Sequence, residues 1–343
     1  MRFKEKQIIS IERTGSISTI DWTLGNYCNY SCSYCFPGCH DGTDPVPKLN
    51  STMLSNVQHL INQLHLADKK NIAFSFSGGE PTLYKDFIPL TQHIKSLGCC
   101  VGIVTNASRT LKWWQRGVEY LDDISISIHH EHADIDHICE VIDFLVQHRK
   151  NVIVHVMIHF DPRLFDVSLR TLARVRDLYE LTDTVKIMPK LLRNTHNQVT
   201  WYSQSQLDNV NRATQGVNTR RRRGRPSNIN SGSYYVFEDA TTQRIGLENS
   251  LNQQWLTGSW QGYSCLAAEE YIQIDYQGNL GVMSCGQAYA PVQNIYTAEF
   301  EQFELPSQDV VCTQQGQCGC MGLARAAKRL TQKKHEVLAI ANS

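Results

Sequence analysis

The sequence lacks any imbalance of charge: 33 basic and 33 acidic side chains cancel to a formal net charge of zero. That excludes a whole-protein field for nucleic acid or an anionic membrane, and nucleic acid is not expected as a partner. No run of eighteen apolar residues exists, so no transmembrane helix is expected. The start, Met1-Arg2-Phe3-Lys4-Glu5-Lys6, is charged and lacks the apolar stretch of a secretion signal. A cytoplasmic chain is expected, in which thiols stay reduced. Cysteine, by contrast, is plentiful. Twelve cysteines in a reducing compartment call for a metal or redox explanation. Four lie between Cys28 and Cys39 and five between Cys265 and Cys320. Cys99, Cys100 and Cys139 sit in patterned segments and read as core.

The 343 residues, 41% hydrophobic, suffice for one large domain or two ordinary ones. After an extended lead-in at 1–17, short β-rich runs alternate with longer helical ones as far as Pro189. The runs are Ile20–Leu24, Ile72–Phe76, Cys99–Val104, Ile124–Ile128, Val152–Ile158 and Val185–Met188. Helices are expected over Thr52–Leu66, Asp86–Leu97, Thr110–Gly117, Ala133–His148 and Val167–Leu181. In the fourth, Ile138, Val141, Ile142 and Leu145 share one face by their spacing. Strands alternating with such helices indicate βα units around a parallel sheet. Such folds bind ligands at the carboxyl ends of their strands.

The cysteine loop stands at such an end. Cys28, Cys32 and Cys35 follow the first run at C-x3-C-x2-C spacing. Thiolates are soft ligands suited to an iron–sulfur cluster or zinc. Zinc pairs usually recur as C-x2-C with a second pair 12–20 residues on, roughly, and none follows here. Three thiolates on a four-iron cube leave one iron open. Cys39 could close it in the manner of a ferredoxin, but the first gap is a residue too long and His40 replaces the expected proline. The second run is followed by Ser77-Gly78-Gly79-Glu80-Pro81. Two glycines allow close approach to the backbone, and Glu80 adds a charge.

This pair of motifs resembles the radical S-adenosylmethionine (SAM) enzymes. The resemblance implies a partial (β/α)6 TIM-type barrel over 18–189, with α/β order. It implies that Cys28, Cys32 and Cys35 ligate a [4Fe-4S] cluster whose open iron chelates SAM. Tyr34 would contact adenine through its backbone, and Gly78, Gly79 and Glu80 would hold the methionine end. Asn106, Ser125 and Ser127 are further SAM candidates, although Asn106 could merely cap a helix and the serines merely fill a polar interior. Ser108 reads as a cap. His129 and His159 are candidates for substrate contact, or ordinary interior histidines. The run His129-His130-Glu131-His132 has no regular zinc spacing. An electron donor such as flavodoxin or ferredoxin is implied, as is a peptide or small-molecule substrate; no catalytic residue stands out.

Beyond 190 the βα rhythm fades into an irregular, basic region, 190–262. Ser205–Thr214 reads as a helix, and Arg220-Arg221-Arg222-Arg223-Gly224-Arg225 as a solvated loop or an anion clamp. Tyr234–Phe237 and Arg244–Leu247 read as a hairpin. In 263–320, Cys265 and Cys285 flank a second hairpin, and Cys312, Cys318 and Cys320 follow. This resembles the SPASM or twitch extension of the same superfamily. Five cysteines are too few for two clusters, so four of the five would hold one auxiliary [4Fe-4S] cluster, or zinc. The tail 321–343 is expected to be a basic amphipathic helix. Without SAM cleavage, the remaining reading is an iron–sulfur carrier or a zinc-binding nucleic-acid module.

Overall fold

The computed structural model describes residues 8–13, 15–35, 38, 40–192, 201–214, 233–244, 260–281, 292–306, 310–312 and 328–330. Cys39, Arg220–Arg225, Cys285, Cys318 and Cys320 lie outside the described residues. By compactness the chain groups into Met1–Asp21, Asn50–Ala73 and Pro226–Ser343 on one hand, and Trp22–Leu49 with Phe74–Arg225 on the other.

The chain begins with β1 (Ile8–Arg13) and β2 (Ile17–Thr23). Then βα units alternate: α1 (Ser51–Leu66), β3 (Asn71–Ser77), α2 (Phe87–Ser96), β4 (Cys100–Thr105) and α3 (Leu111–Gly117). They continue as β5 (Asp123–Ile128), α4 (Ile135–Gln147), β6 (Asn151–Ile158), α5 (Pro162–Tyr179), β7 (Val185–Leu191) and α6 (Gln204–Thr214). The rest is β8 (Ser233–Phe237), β9 (Thr242–Arg244), β10 (Tyr263–Cys265), α7 (Ala267–Glu270), β11 (Tyr271–Ile274), β12 (Leu280–Gly281), β13 (Val310–Val311) and β14 (Lys328–Leu330).

An eight-stranded sheet runs in the order β12-β11-β2-β3-β4-β5-β6-β7. Strands β4 to β7 are parallel neighbours, and β11 and β12 form an antiparallel hairpin. The six runs expected from the sequence are β2 to β7; the hairpin raises the strand number to eight. Alternation along β4, β5 and most of β6 gives the sheet two unlike faces. Val101, Ile103, Ile124, Ile126, Ile128, Val152, Val154, Val156 and Ile187 are buried. Helices α2, α4 and α5 pack against these strands. The four residues expected on one face of α4 are all buried. Its start is capped by Asp134, whose carboxylate accepts from the His137 N–H.

The opposite face is half-open. Register puts Val104, Ser125, Ile153 and Lys186 in one row, and Ser127, His155 and Met188 in another. The two candidate serines therefore look away from the helical layer.

A second sheet, β13-β10-β14-β1-β8-β9, is antiparallel. The expected hairpin near 240 is there, with Ala240 in a left-handed turn, although its second strand starts at Thr242. One expectation is overturned. Lys328–Leu330, inside the tail expected to be helical, is strand β14, paired to both β1 and β10. Ladder bonds on both sides outweigh a weak helical periodicity.

Candidate functional site

The cysteine loop leaves the carboxyl end of β2, and its entry is pinned by backbone alone. The Leu24 N–H donates to the Ser77 oxygen (2.7 Å), Gly79 to Gly25 (3.2 Å) and Glu80 to Tyr27 (2.8 Å). The two glycines permit this approach. A Cβ on Gly78 would lie 2.7 Å from the Gly25 oxygen, and one on Gly79 only 2.2 Å from the Tyr27 oxygen. Gly78 also has φ of +138°, outside the range of ordinary L-residues. The backbone of the loop entry itself approaches both glycines this closely.

Asn26, 4% exposed, ties the far side of the loop. Its amide donates to the Gly38 carbonyl (2.8 Å) and to Asp41 (2.8 Å), and its side-chain oxygen accepts from the Asp44 N–H (2.9 Å). Gly38, Asp41 and Asp44 are thereby drawn back to Asn26, at the entry of the cysteine loop.

Glu80, 2% exposed, follows β3 and caps the 3-10 turn Pro81–Leu83. One oxygen accepts from the Thr82 N–H (3.1 Å), the Thr82 hydroxyl (2.6 Å) and the Thr105 hydroxyl (2.7 Å). The other accepts from the Asn106 N–H (2.7 Å). Burial raises its pKa above the usual carboxylate range, against the lowering pull of these donors. Glu80 thus fastens the end of β3 to the end of β4. From there Asn106 donates to Asn29 (3.0 Å) and to the Cys28 sulfur (3.8 Å), and accepts from the Ser108 N–H (3.0 Å). Ser108 is not the cap expected: Thr110 holds that position before α3, and the Ser108 hydroxyl meets Asn29 instead.

The second half of the loop is held from the ends of β5 and β6. Tyr34 stacks on His129 (5.9 Å between ring centres), and its hydroxyl lies 2.8 Å from His129 Nδ1. His129 and His130 both have pKa values lowered to about 4, chiefly by burial. Glu131 accepts from both the N–H and the hydroxyl of Ser33, and lies 2.9 Å from Nε2 of His159. Burial alone would raise the Glu131 pKa; the Ser33 and His159 bonds outweigh it and leave it lowered. Cys28, Gly79, Glu80 and Asn106 are therefore linked by bonds at the ends of β3 and β4, and Tyr34 is tied to the end of β5. Cys32 and Cys35 lie between on the same loop, and Gly78 packs against the Gly25 backbone. Ser33, Thr82, Thr105 and Glu131 were not singled out from the sequence as parts of this site. Their bonds cross up to about a hundred residues, and no local pattern announces them.

The three thiols fit a metal group. Cys32 is pushed up to about 12, first by burial and further by the charges of Glu131, Cys28 and Cys35. Burial also raises Cys28, although the Tyr30 N–H donates to its sulfur at 3.3 Å. Thiolates crowded in this way resist ionisation until a cation relieves the repulsion. The donor set, three soft sulfurs on one loop, suits iron–sulfur ligation. Cys32, Glu131 and His132 also offer ligand atoms within 4.8 Å of one another.

The two described C-terminal cysteines lie two register positions apart on one antiparallel ladder. Cys265 pairs with Val310 in β10–β13, and Cys312 exchanges backbone bonds with Gly262 and Tyr263 (2.7 and 2.8 Å). No helix among the described residues is long and apolar enough to cross a membrane.

The radical SAM superfamily model matches residues 22–195, just over half of the chain. An S-adenosylmethionine-dependent nucleotide dehydratase from Selenomonas ruminantium is 33% identical over 84 residues, 24% of this chain and 28% of that protein. A GTP 3',8-cyclase from Haemophilus influenzae (strain PittGG) is 31% identical over 103 residues, 28% of this chain and 29% of that protein. The chain thus matches less than a third of the length of these curated relatives. In fold it is similar to Streptococcus suis SuiB bound to S-adenosylmethionine, with a TM-score of 0.50 at 13% identity, over 85% of this chain and 67% of that one.

Proposed function

The chain belongs to the radical SAM superfamily, and from that premise we propose that it cleaves SAM reductively to abstract a hydrogen atom from a peptide or small-molecule substrate. The observation that carries this reading is the bonding of the three-cysteine loop to the ends of β3 and β4 through Gly79, Glu80 and Asn106. Cys28, Cys32 and Cys35 would hold a [4Fe-4S] cluster. When bound, that cluster supplies the electron that divides SAM into methionine and a 5′-deoxyadenosyl radical.

The protein's own part is to bind, orient and shield. The Tyr30 N–H and the Asn106 amide donate toward Cys28 and so favour its thiolate. Glu80 keeps the rim of β3 and β4 rigid, while the backbone of Gly78 and Gly79 would receive the methionine end of SAM. Tyr34, Ser125 and Ser127 complete the proposed SAM surface, the serines from the half-open face of β5.

In this reading the parallel strands form a partial (β/α)6 barrel over 18–189. The segment 263–320 is a twitch-like extension. Four of Cys265, Cys285, Cys312, Cys318 and Cys320 would hold one auxiliary cluster there, and the place of Cys265 and Cys312 two register positions apart on one ladder supports a shared site. Such a cluster would accept the electron left on substrate in a net oxidation or cross-linking, or would bind substrate in a redox-neutral epimerisation. Flavodoxin or ferredoxin would reduce the first cluster in the cytoplasm. Anaerobically reconstituted protein with SAM and dithionite should yield 5′-deoxyadenosine, and Cys35→Ala should abolish it. Equal yield from Cys35→Ala, or none from the wild type, sinks the assignment.

A further inference from the structure

Resting on that reading of the cysteine loop, we propose that Glu131 is its positioning residue: clasped to Ser33 and fixed by His159, it sets the spacing of Cys32 and Cys35. Both polar groups of Ser33 go to this one carboxylate. The N–H donates to Oε2 at 2.7 Å and the hydroxyl to Oε1 at 2.5 Å. Ser33 itself is exposed, so the bond restrains it where packing does not. Within 32–35 the Cys35 N–H donates to the Cys32 oxygen at 3.0 Å, closing the turn that carries Ser33.

The clasp is anchored in turn. His159 is 4% exposed. Its Nδ1 accepts from the Asp161 N–H at 3.0 Å, which assigns the proton to Nε2, and Nε2 then donates to Glu131 at 2.9 Å. The His159 N–H donates to the Ser168 hydroxyl (3.1 Å), which bonds the Leu164 carbonyl (2.7 Å) in α5. A chain of four bonded groups thus joins α5 to the middle of the cysteine loop. Tyr34 and His129 make a parallel tie one residue on. Cys28, at the other end, is tied to β4 through Asn106. Each end of the triad therefore has its own restraint: Glu131 holds the residue after Cys32, and His129 the residue before Cys35.

Groups that orient metal ligands without binding the metal typically change affinity by about 10–100-fold when removed. The rival role for Glu131 is direct ligation, since Cys32, Glu131 and His132 offer atoms within 4.8 Å of one another. Ser33 separates the two, because Ser33→Ala takes a bond from the clasp and no donor from a metal.

The test uses the full chain, reconstituted anaerobically with iron and sulfide: wild type, Glu131→Ala, Glu131→Gln, Ser33→Ala and the double variant Ser33→Ala/Glu131→Ala. Resistance of bound iron to a chelator is read alongside the electron paramagnetic resonance spectrum of the reduced cluster, with and without SAM. Far-UV circular dichroism confirms that each variant folds. Glu131→Ala should lose about 10–100-fold in chelator resistance and broaden the spectrum. Ser33→Ala should move both readouts in the same direction by less, and Glu131→Gln should recover part of the loss by keeping one acceptor. The double variant should be no worse than Glu131→Ala, because both changes remove one interaction. Losses that add in the double variant, or a Ser33→Ala protein identical to wild type, assign Glu131 to ligation and overturn the proposal. Variants that all superimpose on wild type overturn it as well. A wild type that assembles no cluster removes the earlier reading too, and is told apart by that sample alone.

Discussion

Removal of the Glu80 carboxylate should loosen the rim from which the site is built. Four donors converge on it: two backbone N–H groups, of Thr82 and Asn106, and two threonine hydroxyls. In Glu80→Ala the hydroxyls can rotate to other acceptors, but the N–H groups cannot. Each buried N–H left without an acceptor costs about 1–3 kcal/mol, so the two together cost about 2–6 kcal/mol. Urea unfolding of the cluster-free chain should show a lowered midpoint with unchanged slope, the signature of lost stability without a change in exposed surface. Glu80→Gln should fall between wild type and alanine. It keeps one oxygen for the threonines but turns an NH2 toward a donor. Amide exchange should speed at Thr82 and Asn106 ahead of the helices. A loss below about 1 kcal/mol for Glu80→Ala, smaller than even one orphaned donor, would refute the idea that this carboxylate joins β3 to β4.

Gly79→Ala places a Cβ 2.2 Å from the Tyr27 oxygen, a backbone atom that no rotamer change can move. It should cost about 3 kcal/mol or more. Gly281→Ala, whose Cβ meets nothing within 4 Å, should stay within about 0.5 kcal/mol, both read by thermal or urea unfolding. His129 and His130 have pKa values lowered to about 4 by burial. A histidine depressed in the folded state contributes stability that is complete above the ordinary value of about 6.5 and is lost as pH falls toward about 4. In the cluster-free chain their ring signals should stay flat in an NMR titration from about pH 7.5 to 5.5; a midpoint near 6.5 for either ring contradicts the burial argument.

What could be read from the sequence follows from the range of the forces involved. The alternation of β4–β7 and the spacing of the α4 face are local patterns. Those strand and helix positions were legible for that reason, each to within a few residues. The cysteine loop and the Gly-Gly-Glu run were legible as chemistry because they are contiguous. Their geometry was not. The glycines are required by the backbone of Gly25 and Tyr27, which the sequence places some fifty residues away. Glu131 reaches Ser33 across 98 positions. The antiparallel sheet was hidden for a related reason: β1 pairs with β8 and β14, more than two hundred residues on, and strands of two to six residues carry little periodicity of their own. The tail around β14 shows the same competition. An amphipathic pattern is a preference worth tenths of a kcal/mol per residue, and a strand flanked by partners on both sides overrides it. Polar ties of this kind bind the cysteine loop to β3, β4, β5 and β6 at once. A change that breaks one tie should therefore disturb the thiols at once and weaken the sheet only by the groups it orphans, because the sheet's apolar face is buried by its own helices.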